Sequence, residues 1–407
     1  MIQQEEFSTM AEGLFAGLKV IDCASFIAAP AAATVLADFG ADVIKIEPPG
    51  EGDLYRSLHV RPGSPKADRD YAWILDSRNK RGLSLDLKSE HGQEVLRRLV
   101  ATADVFITNM PFPVRRKLKT AYEDLAPLNP RLIYASFTAY GETGPEAEKT
   151  GFDSTAYWAR SGLMDMVRPD GEAAPARSTP GMGDHPSAMA LYGAIMTGLY
   201  RREKTGKGGL VASSLVQNGL WSNSYFVQAA LINAQFPPRP PRTHVLNPLS
   251  NSYRCKDGRW FILSMVNEAR QYAPFMTAIG LGDLVERYAV QADRQKHSPE
   301  LVEIFDKLFA KKTLEEWRTI LDAAGITFGI VNTLDDLRHD EQARYAGAIV
   351  PFADGSGETV SSPFSVAGET KRPPGKAPNV GEHSEQILRE YGYSDAEIGK
   401  LRSMKIV

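Results

Sequence analysis

The stretch Pro180-Gly181-Met182-Gly183-Asp184-His185-Pro186-Ser187 gathers residue types that chemistry needs, just ahead of a helical apolar pattern running from His185 to Arg202. Two glycines let the backbone approach a ligand closely, Asp184 takes the place of a helix cap, and Pro186 falls in the first turn. Read structurally, Asp184 is an ordinary N-cap. Read chemically, a carboxylate at a helix N-terminus is held ionised by the dipole and nearby N–H groups, which suits a nucleophile, and the same donors could stabilise an oxyanion. His185 invites pairing with Asp184, but adjacent side chains at a helix start point apart, which favours a packed or solvated imidazole.

Two glycine motifs are weaker. The pair Gly181/Gly183 lacks the third glycine and the preceding apolar strand of a dinucleotide fingerprint. In Lys204-Thr205-Gly206-Lys207-Gly208-Gly209 the lysine is followed by Gly rather than Ser or Thr, so the segment reads as a helix end and turn rather than a phosphate loop. Basic residues recur at the ends of the early units: Lys45, Lys80, Arg81, Lys88 and Arg115-Arg116-Lys117. They form a solvated face or, with Asn109 placed after a strand, a set that could meet the phosphates of a nucleotide-like cofactor.

The elements that must position these residues begin with strand Leu18–Asp22, an Ala-rich helix Ala31–Asp38 closed by Gly40, and strand Asp42–Glu47, a βαβ unit. Strands at Gly82–Leu87, Asp104–Thr108 and Leu132–Phe137 alternate with a helix Glu90–Ala101 and a short basic helix near Arg115–Lys119. This pattern predicts a doubly wound α/β sheet with ligands at the carboxyl ends of its strands. Helices follow at Asp153–Met164, His185–Arg202 and Leu215–Ala234, then the stiff connector Phe236-Pro237-Pro238-Arg239-Pro240-Pro241. Beyond it come a strand Arg259–Leu263, helices Leu301–Ala310 and Leu314–Ala323, a hairpin over Gly347–Phe352 and Glu358–Ser362, and closing helices Glu385–Tyr391 and Asp395–Leu401.

Of 407 residues, 47 are Lys or Arg and 50 are Asp or Glu. The net charge of −3 argues against a nucleic-acid-wrapping surface. Cys23 and Cys255 have no metal-ligand or disulfide-framework spacing, which fits a reducing compartment. Met1-Ile2-Gln3-Gln4-Glu5-Glu6 lacks a basic leader, and the apolar stretch Phe26–Leu36 is too short to span a bilayer, so a soluble cytoplasmic protein is expected.

Taken together the chain resembles the class III CoA transferases, the group that includes formyl-CoA transferase, carnitine CoA transferase and the α-methylacyl-CoA racemases. The resemblance covers nearly the whole chain. It rests on Gly17–Asp22, Gly40–Glu47, Asn79-Lys80-Arg81 with Leu85–Lys88, Ala103-Asp104-Val105 through Asn109, Gly183-Asp184 and Lys204–Gly208. The resemblance implies that Asp184 is the nucleophile, that Lys88, Asn109 and Lys117 hold CoA, that Leu85–Lys88 line the adenine side, and that Ile27, Ala28 and Tyr140 lie near the pantetheine and thioester. It also implies a Rossmann-like large domain with a smaller α+β domain, in an interlocked homodimer. On that basis the large domain takes 1–220, a helix and connector 221–248, the small domain 249–345, and a return to the large domain 346–407.

The chain departs from the formyl-CoA branch, which has Gln, Arg and Lys where Ile27, Pro48 and Thr138 stand here, and a tetraglycine loop absent from this sequence. Loss of these polar groups points to a larger or more apolar acid. In the racemase branch a His precedes the Asp of Gly-His-Asp; here the motif is Gly151-Phe152-Asp153, and phenylalanine moves no proton. Gly151–Gly162, Phe26–Pro30 and Tyr253–Trp260 look most like the subgroup acting on 2-hydroxyacyl- and aryl-acrylyl-CoA. Asp153 and Arg160 are either site residues or a structural pair. The implied activity is transfer of CoA between an acyl-CoA and a carboxylic acid through an aspartyl anhydride and thioester, with CoA as substrate and neither a permanently bound cofactor nor a metal. The alternatives are racemisation of 2-methylacyl-CoA and CoA binding without catalysis.

Overall fold

The computed structural model describes residues 13–407; Met1–Glu6, read above for a leader, lies outside them. The chain divides into two compact units. One comprises the residues up to Met164, Arg177–Gln228 and Gln342–Val407. The other comprises Asp165–Ala176 and Ala229–Glu341.

In the first unit β1 (Lys19–Asp22), α1 (Ala28–Asp38), β2 (Asp42–Glu47), α2 (Tyr71–Ser77), β3 (Arg81–Ser84), α3 (Glu90–Thr102), β4 (Val105–Thr108), α4 (Phe112–Lys117), the one-turn α5 (Tyr122–Leu125) and β5 (Ile133–Thr138) follow in turn. The one-turn α6 (Leu163–Met166), the long α7 (Asp184–Thr205) and β6 (Gly209–Ser214) come next. The six strands are parallel in the order β3-β2-β1-β4-β5-β6. Chain order reverses between β1 and β4, the switch point where open α/β sheets bind ligands.

The period-two alternation of the strands builds both faces. Val20, Val43, Val105 and Ile133 pack with α1 and α7, while Ile21, Ile44, Phe106 and Tyr134 pack with α3 and with C-terminal residues such as Ile387 and Leu401. Every residue of α1 is buried. Its alanines let it lie close to the sheet and to α7 at once.

Helices α8 (Leu215–Ser222) and α9 (Ser224–Leu231) then lead out of the first unit. The second unit is an antiparallel sheet β7 (Ser252–Arg254), β8 (Trp260–Leu263) and β9 (Phe328–Ile330) with α10 (Glu268–Ala278), α11 (Gln291–Lys296), α12 (Ser298–Phe309) and α13 (Leu314–Ala323) around an aromatic core of Tyr253, Phe261, Phe305, Phe309 and Trp317. After α14 (Glu341–Tyr345) come the hairpin β10 (Ile349–Pro351) and β11 (Glu358–Val360), then α15 (Ser384–Glu390) and α16 (Asp395–Ser403).

The expected doubly wound α/β class is the class observed. Three local expectations change. The helix expected over Asp153–Met164 is a π-helix, Asp153–Ala159, followed by a separate turn, because Gly162 at φ +83° breaks the run. The helix expected over Leu215–Ala234 is α8 and α9, parted at Asn223. The sixth strand, Gly209–Ser214, was not expected.

Candidate active site

Asp184 is the first residue of α7, and the N-cap is Gly183. The cap reading of Asp184 is therefore corrected: no hydrogen bond reaches its carboxylate within the described residues. The loop before it depends on two glycines. Gly181 has φ +80°, and a Cβ on Gly183 would lie 2.6 Å from the ring of Tyr157. Tyr157 belongs to the π-helix, whose first residue, Asp153, accepts the Gly183 N–H at 3.4 Å and the Ser154 N–H at 2.6 Å. A π-turn is a costly conformation concentrated at functional sites, and here it fixes the backbone one residue before Asp184.

The electrostatics reverse another expectation. Burial, then the neighbouring carboxylate of Asp153, push the Asp184 carboxyl up to about 7, with Asp76 adding to the effect and His185 opposing it. The helix dipole does not keep it low, because partial burial and the carboxylates of Asp153 and Asp76 outweigh it. Deprotonated, such a group is poorly solvated and correspondingly nucleophilic.

His185 does not bond to Asp184. Its Nε2 lies 3.1 Å from Asp76 Oδ1, and Asp76 Oδ2 accepts the Tyr55 hydroxyl at 2.6 Å. Burial disfavours the imidazolium, but the bond to Asp76 and the charges of Asp76 and Asp184 hold His185 above its ordinary range. Neither Tyr55 nor Asp76 had been picked out from the sequence, since nothing local ties position 76 to position 185.

The loops after β1 and β4 meet at the switch point. Asn109 donates from Nδ2 to the Ser25 carbonyl at 2.7 Å and accepts the Ser25 N–H at 2.8 Å. Its amide is thus committed to holding the turn that presents Phe26, Ile27 and Ala28. Phe26 sits at φ +63°, a conformation disfavoured for a side chain that bulky. Asp53 helps to impose it, accepting from Ser25 Oγ at 2.6 Å and the Phe26 N–H at 3.3 Å and pairing with Lys45 at 3.0 Å. Burial works against its charge, yet Lys45 and the Ser25 hydroxyl hold Asp53 below the usual carboxylate range. Asp53 is a third site residue missed in the sequence, although it caps the single turn Leu54–Ser57 as Asp commonly does.

The basic set splits. Lys45 is buried, bonded to the Ala24 carbonyl and to Asp53. Lys80 is buried against Asp22 and the Pro30 and Asp76 carbonyls. The Arg115 guanidinium is held by the Met110 and Phe137 carbonyls and Ser136. Arg81 pairs with Asp42 and Glu390, and Arg116 with Glu148. Neither a solvated face nor a phosphate site describes the three buried ones. Lys88 and Lys117 are exposed, and neither makes an ion pair within the described residues.

Of the other expected contacts, Leu85 is a core residue, 1% exposed, so its side chain lines no adenine site. Ile27 and Ala28 are buried at the start of α1, with the Ile27 side chain close to Gly181. Tyr140 packs beside Gly151, and Lys149 Nζ lies 5.2 Å from its ring centre. A cleft of about 70 Å³ opens beyond β4 and β5, lined by Asn109, Met110, Thr138, Ala139, Lys149 and Gly151. Asp153 and Arg160 form no pair, since Arg160 reaches Glu146 at 3.1 Å instead. At the Asp153 side, the rings of Phe152 and Phe26 meet edge to face at 5.9 Å.

A family model for "CoA-transferase family III" matches residues 15–384. The chain is 34% identical over 400 residues to the (R)-2-hydroxy-4-methylpentanoate CoA-transferase of Clostridioides difficile, a match spanning 97% of this chain and 99% of that one. It is 35% identical over 402 residues to the cinnamoyl-CoA:phenyllactate CoA-transferase of Clostridium sporogenes, spanning 96% and 97%. A solved CaiB/BaiF family protein from Brucella suis superposes with a TM-score of 0.82 at 28% identity, over 93% of this chain and 100% of the other.

Proposed function

This chain belongs to CoA-transferase family III, and we propose that within that family it moves CoA from a 2-hydroxyacyl- or aryl-acrylyl-CoA to a free carboxylic acid, with Asp184 as the covalent carrier. The observation that carries this reading is the Asp184 carboxylate itself: buried enough to be raised to about 7, free of hydrogen bonds within the described residues, and set on a loop shaped by Gly181, Gly183 and Asp153.

The deprotonated carboxylate attacks the thioester carbonyl. The C–S bond breaks, CoA leaves as thiolate, and an aspartyl-acyl anhydride forms. The thiolate then attacks Cγ of Asp184, the donor acid departs with the bridging oxygen, and an aspartyl-CoA thioester remains. The acceptor carboxylate attacks that thioester carbonyl and expels the thiolate, which attacks the acceptor's acyl carbon in the new anhydride and frees Asp184. No step gains or loses a proton overall, and the thioester's energy is retained throughout.

For the cosubstrate, the free ammonium groups of Lys88 and Lys117 suit CoA phosphates. The turn Phe26–Ala28, held by Asn109, and the cleft beside Tyr140 suit the pantetheine arm. Phe26, Phe152 and Met182 give the acyl group apolar neighbours, in keeping with the acids named for the two relatives. Phe152 in place of an acid/base histidine favours transfer over racemisation. Trp221 and Tyr225, 80% and 82% exposed on α8 and α9, support a homodimer that covers them. Two buried, unpaired cysteines fit a cytoplasmic setting.

The test is Asp184→Asn. It should abolish transfer by at least about a thousandfold while acyl-CoA still binds, and wild-type enzyme should be inactivated by hydroxylamine only when acyl-CoA is present. Near wild-type turnover by the variant would sink the proposal. A panel of acyl-CoAs against free acids, read by mass spectrometry, identifies the acids.

A further inference from the structure

Among the described residues His185 is the one positive group acting on Asp184, beside carboxylates that oppose it. The groups facing its ring are Asp76 from α2, with Tyr55 behind Asp76, and Asp184 beside it on α7; Asp153 acts on Asp184 and accepts the Gly183 N–H. Asp76 is 2% exposed and Tyr55 3%, so the anchor is buried, whereas the imidazole is 44% exposed. Gly181 leaves room for the ring, since a Cβ there would lie 3.0 Å from its Nδ1. A buried carboxylate whose two oxygens are both committed thus fixes an accessible cation next to the nucleophile.

The reaction needs such a cation at one stage in particular. In the resting enzyme the charge of His185 offsets Asp184. Once Asp184 is a thioester it is neutral, and Asp153 is engaged by the N–H groups of Ser154 and Gly183. The next reactant is itself a carboxylate, entering a region that still holds Asp76 and Asp153. Without a compensating charge it is repelled.

We propose that His185, fixed by Asp76, receives the carboxylate of the free acid at the enzyme–CoA stage and so determines affinity for the acid rather than for the acyl-CoA. This rests on the reading of Asp184 as the carrier.

The test is His185→Gln in the full chain. KM for the free acid should rise about ten- to a hundredfold, the loss of one charge-assisted contact, with KM for acyl-CoA changed by less than about twofold. The same variant, mixed with acyl-CoA alone, should still form the enzyme–CoA adduct seen by intact mass. If the adduct forms and KM for the acid stays put, the proposal is overturned with the role of Asp184 intact; absence of the adduct in wild-type enzyme overturns the role of Asp184 instead. Should the variant not fold, wild-type enzyme decides. Its KM for the acid should climb as pH rises through the imidazolium titration while KM for acyl-CoA stays level, and a pH-independent KM for the acid overturns the proposal.

Discussion

Asn109 and Ser25 are joined by two hydrogen bonds, Nδ2 to the Ser25 carbonyl at 2.7 Å and the Ser25 N–H to Oδ1 at 2.8 Å. The pair ties the loop after β4 to the loop after β1 across the point where strand order reverses. Asn109→Ala removes both bonds and leaves two backbone groups unpaired. We predict a loss of roughly 1–3 kcal/mol in stability, read by denaturant unfolding, together with a raised KM for acyl-CoA as the Phe26–Ala28 turn loosens. An unchanged KM would separate this clamp from CoA binding.

The loop carrying Asp184 has no room for a side chain at Gly183. Gly183→Ala places a methyl group 2.6 Å from the Tyr157 ring. Overpacking of this kind costs about 1–3 kcal/mol, and it moves the backbone that aims the carboxylate. We predict a fall in kcat of at least about tenfold in a variant that still folds, measured beside its melting temperature; wild-type kcat would show that the loop position does not matter.

The raised Asp184 carboxyl has two consequences with pH. Since its folded value of about 7 exceeds the ordinary 3.8, the folded state binds more protons between these limits, and the stability this group contributes at low pH is lost as pH rises through about 7. Asp184→Asn should therefore raise the melting temperature at pH 8 by more than at pH 4. In catalysis the sign is opposite, because the nucleophile is the ionised form: kcat/KM for acyl-CoA should climb with pH and level off above about 7. A profile already flat from pH 5 would contradict the shift.

The resemblance to the racemase branch puts Phe152 in the place of a proton-transferring histidine. In heavy water without an acceptor acid, the enzyme should introduce no deuterium at the α-carbon of acyl-CoA. Steady uptake, followed by mass spectrometry, would favour racemisation instead.

The first βαβ unit was legible because its signals are local: Asp42–Glu47 is rich in β-branched Val43, Ile44 and Ile46, and Gly40 closes the helix before it. Gly209–Ser214 escaped because GLVASS is a weakly apolar edge strand, recognisable only once β5 lies beside it. The π-helix has no sequence signature. Asp184 stood out by its glycines and its place before a helix, but its environment did not, because the carboxylates of Asp76 and Asp153 reach it only in the fold. Lys45, Lys80 and Arg115 looked like a basic surface since charged residues are usually exposed, and their partners Asp22, Asp53 and Ser136 become visible only in three dimensions. His185 and Asp76 meet across 109 positions, a separation no motif spans.

The central claim, that Asp184 carries the acyl group and CoA in turn, is tested most directly by oxygen tracing. A single turnover with an acceptor acid labelled with oxygen-18 in its carboxylate should leave one labelled oxygen on Asp184, a gain of about 2 Da in the peptide that contains it, rising toward about 4 Da over many turnovers as both carboxylate oxygens are replaced, and label should pass into the donor acid released in later turnovers. An unlabelled Asp184 peptide after many turnovers would contradict it.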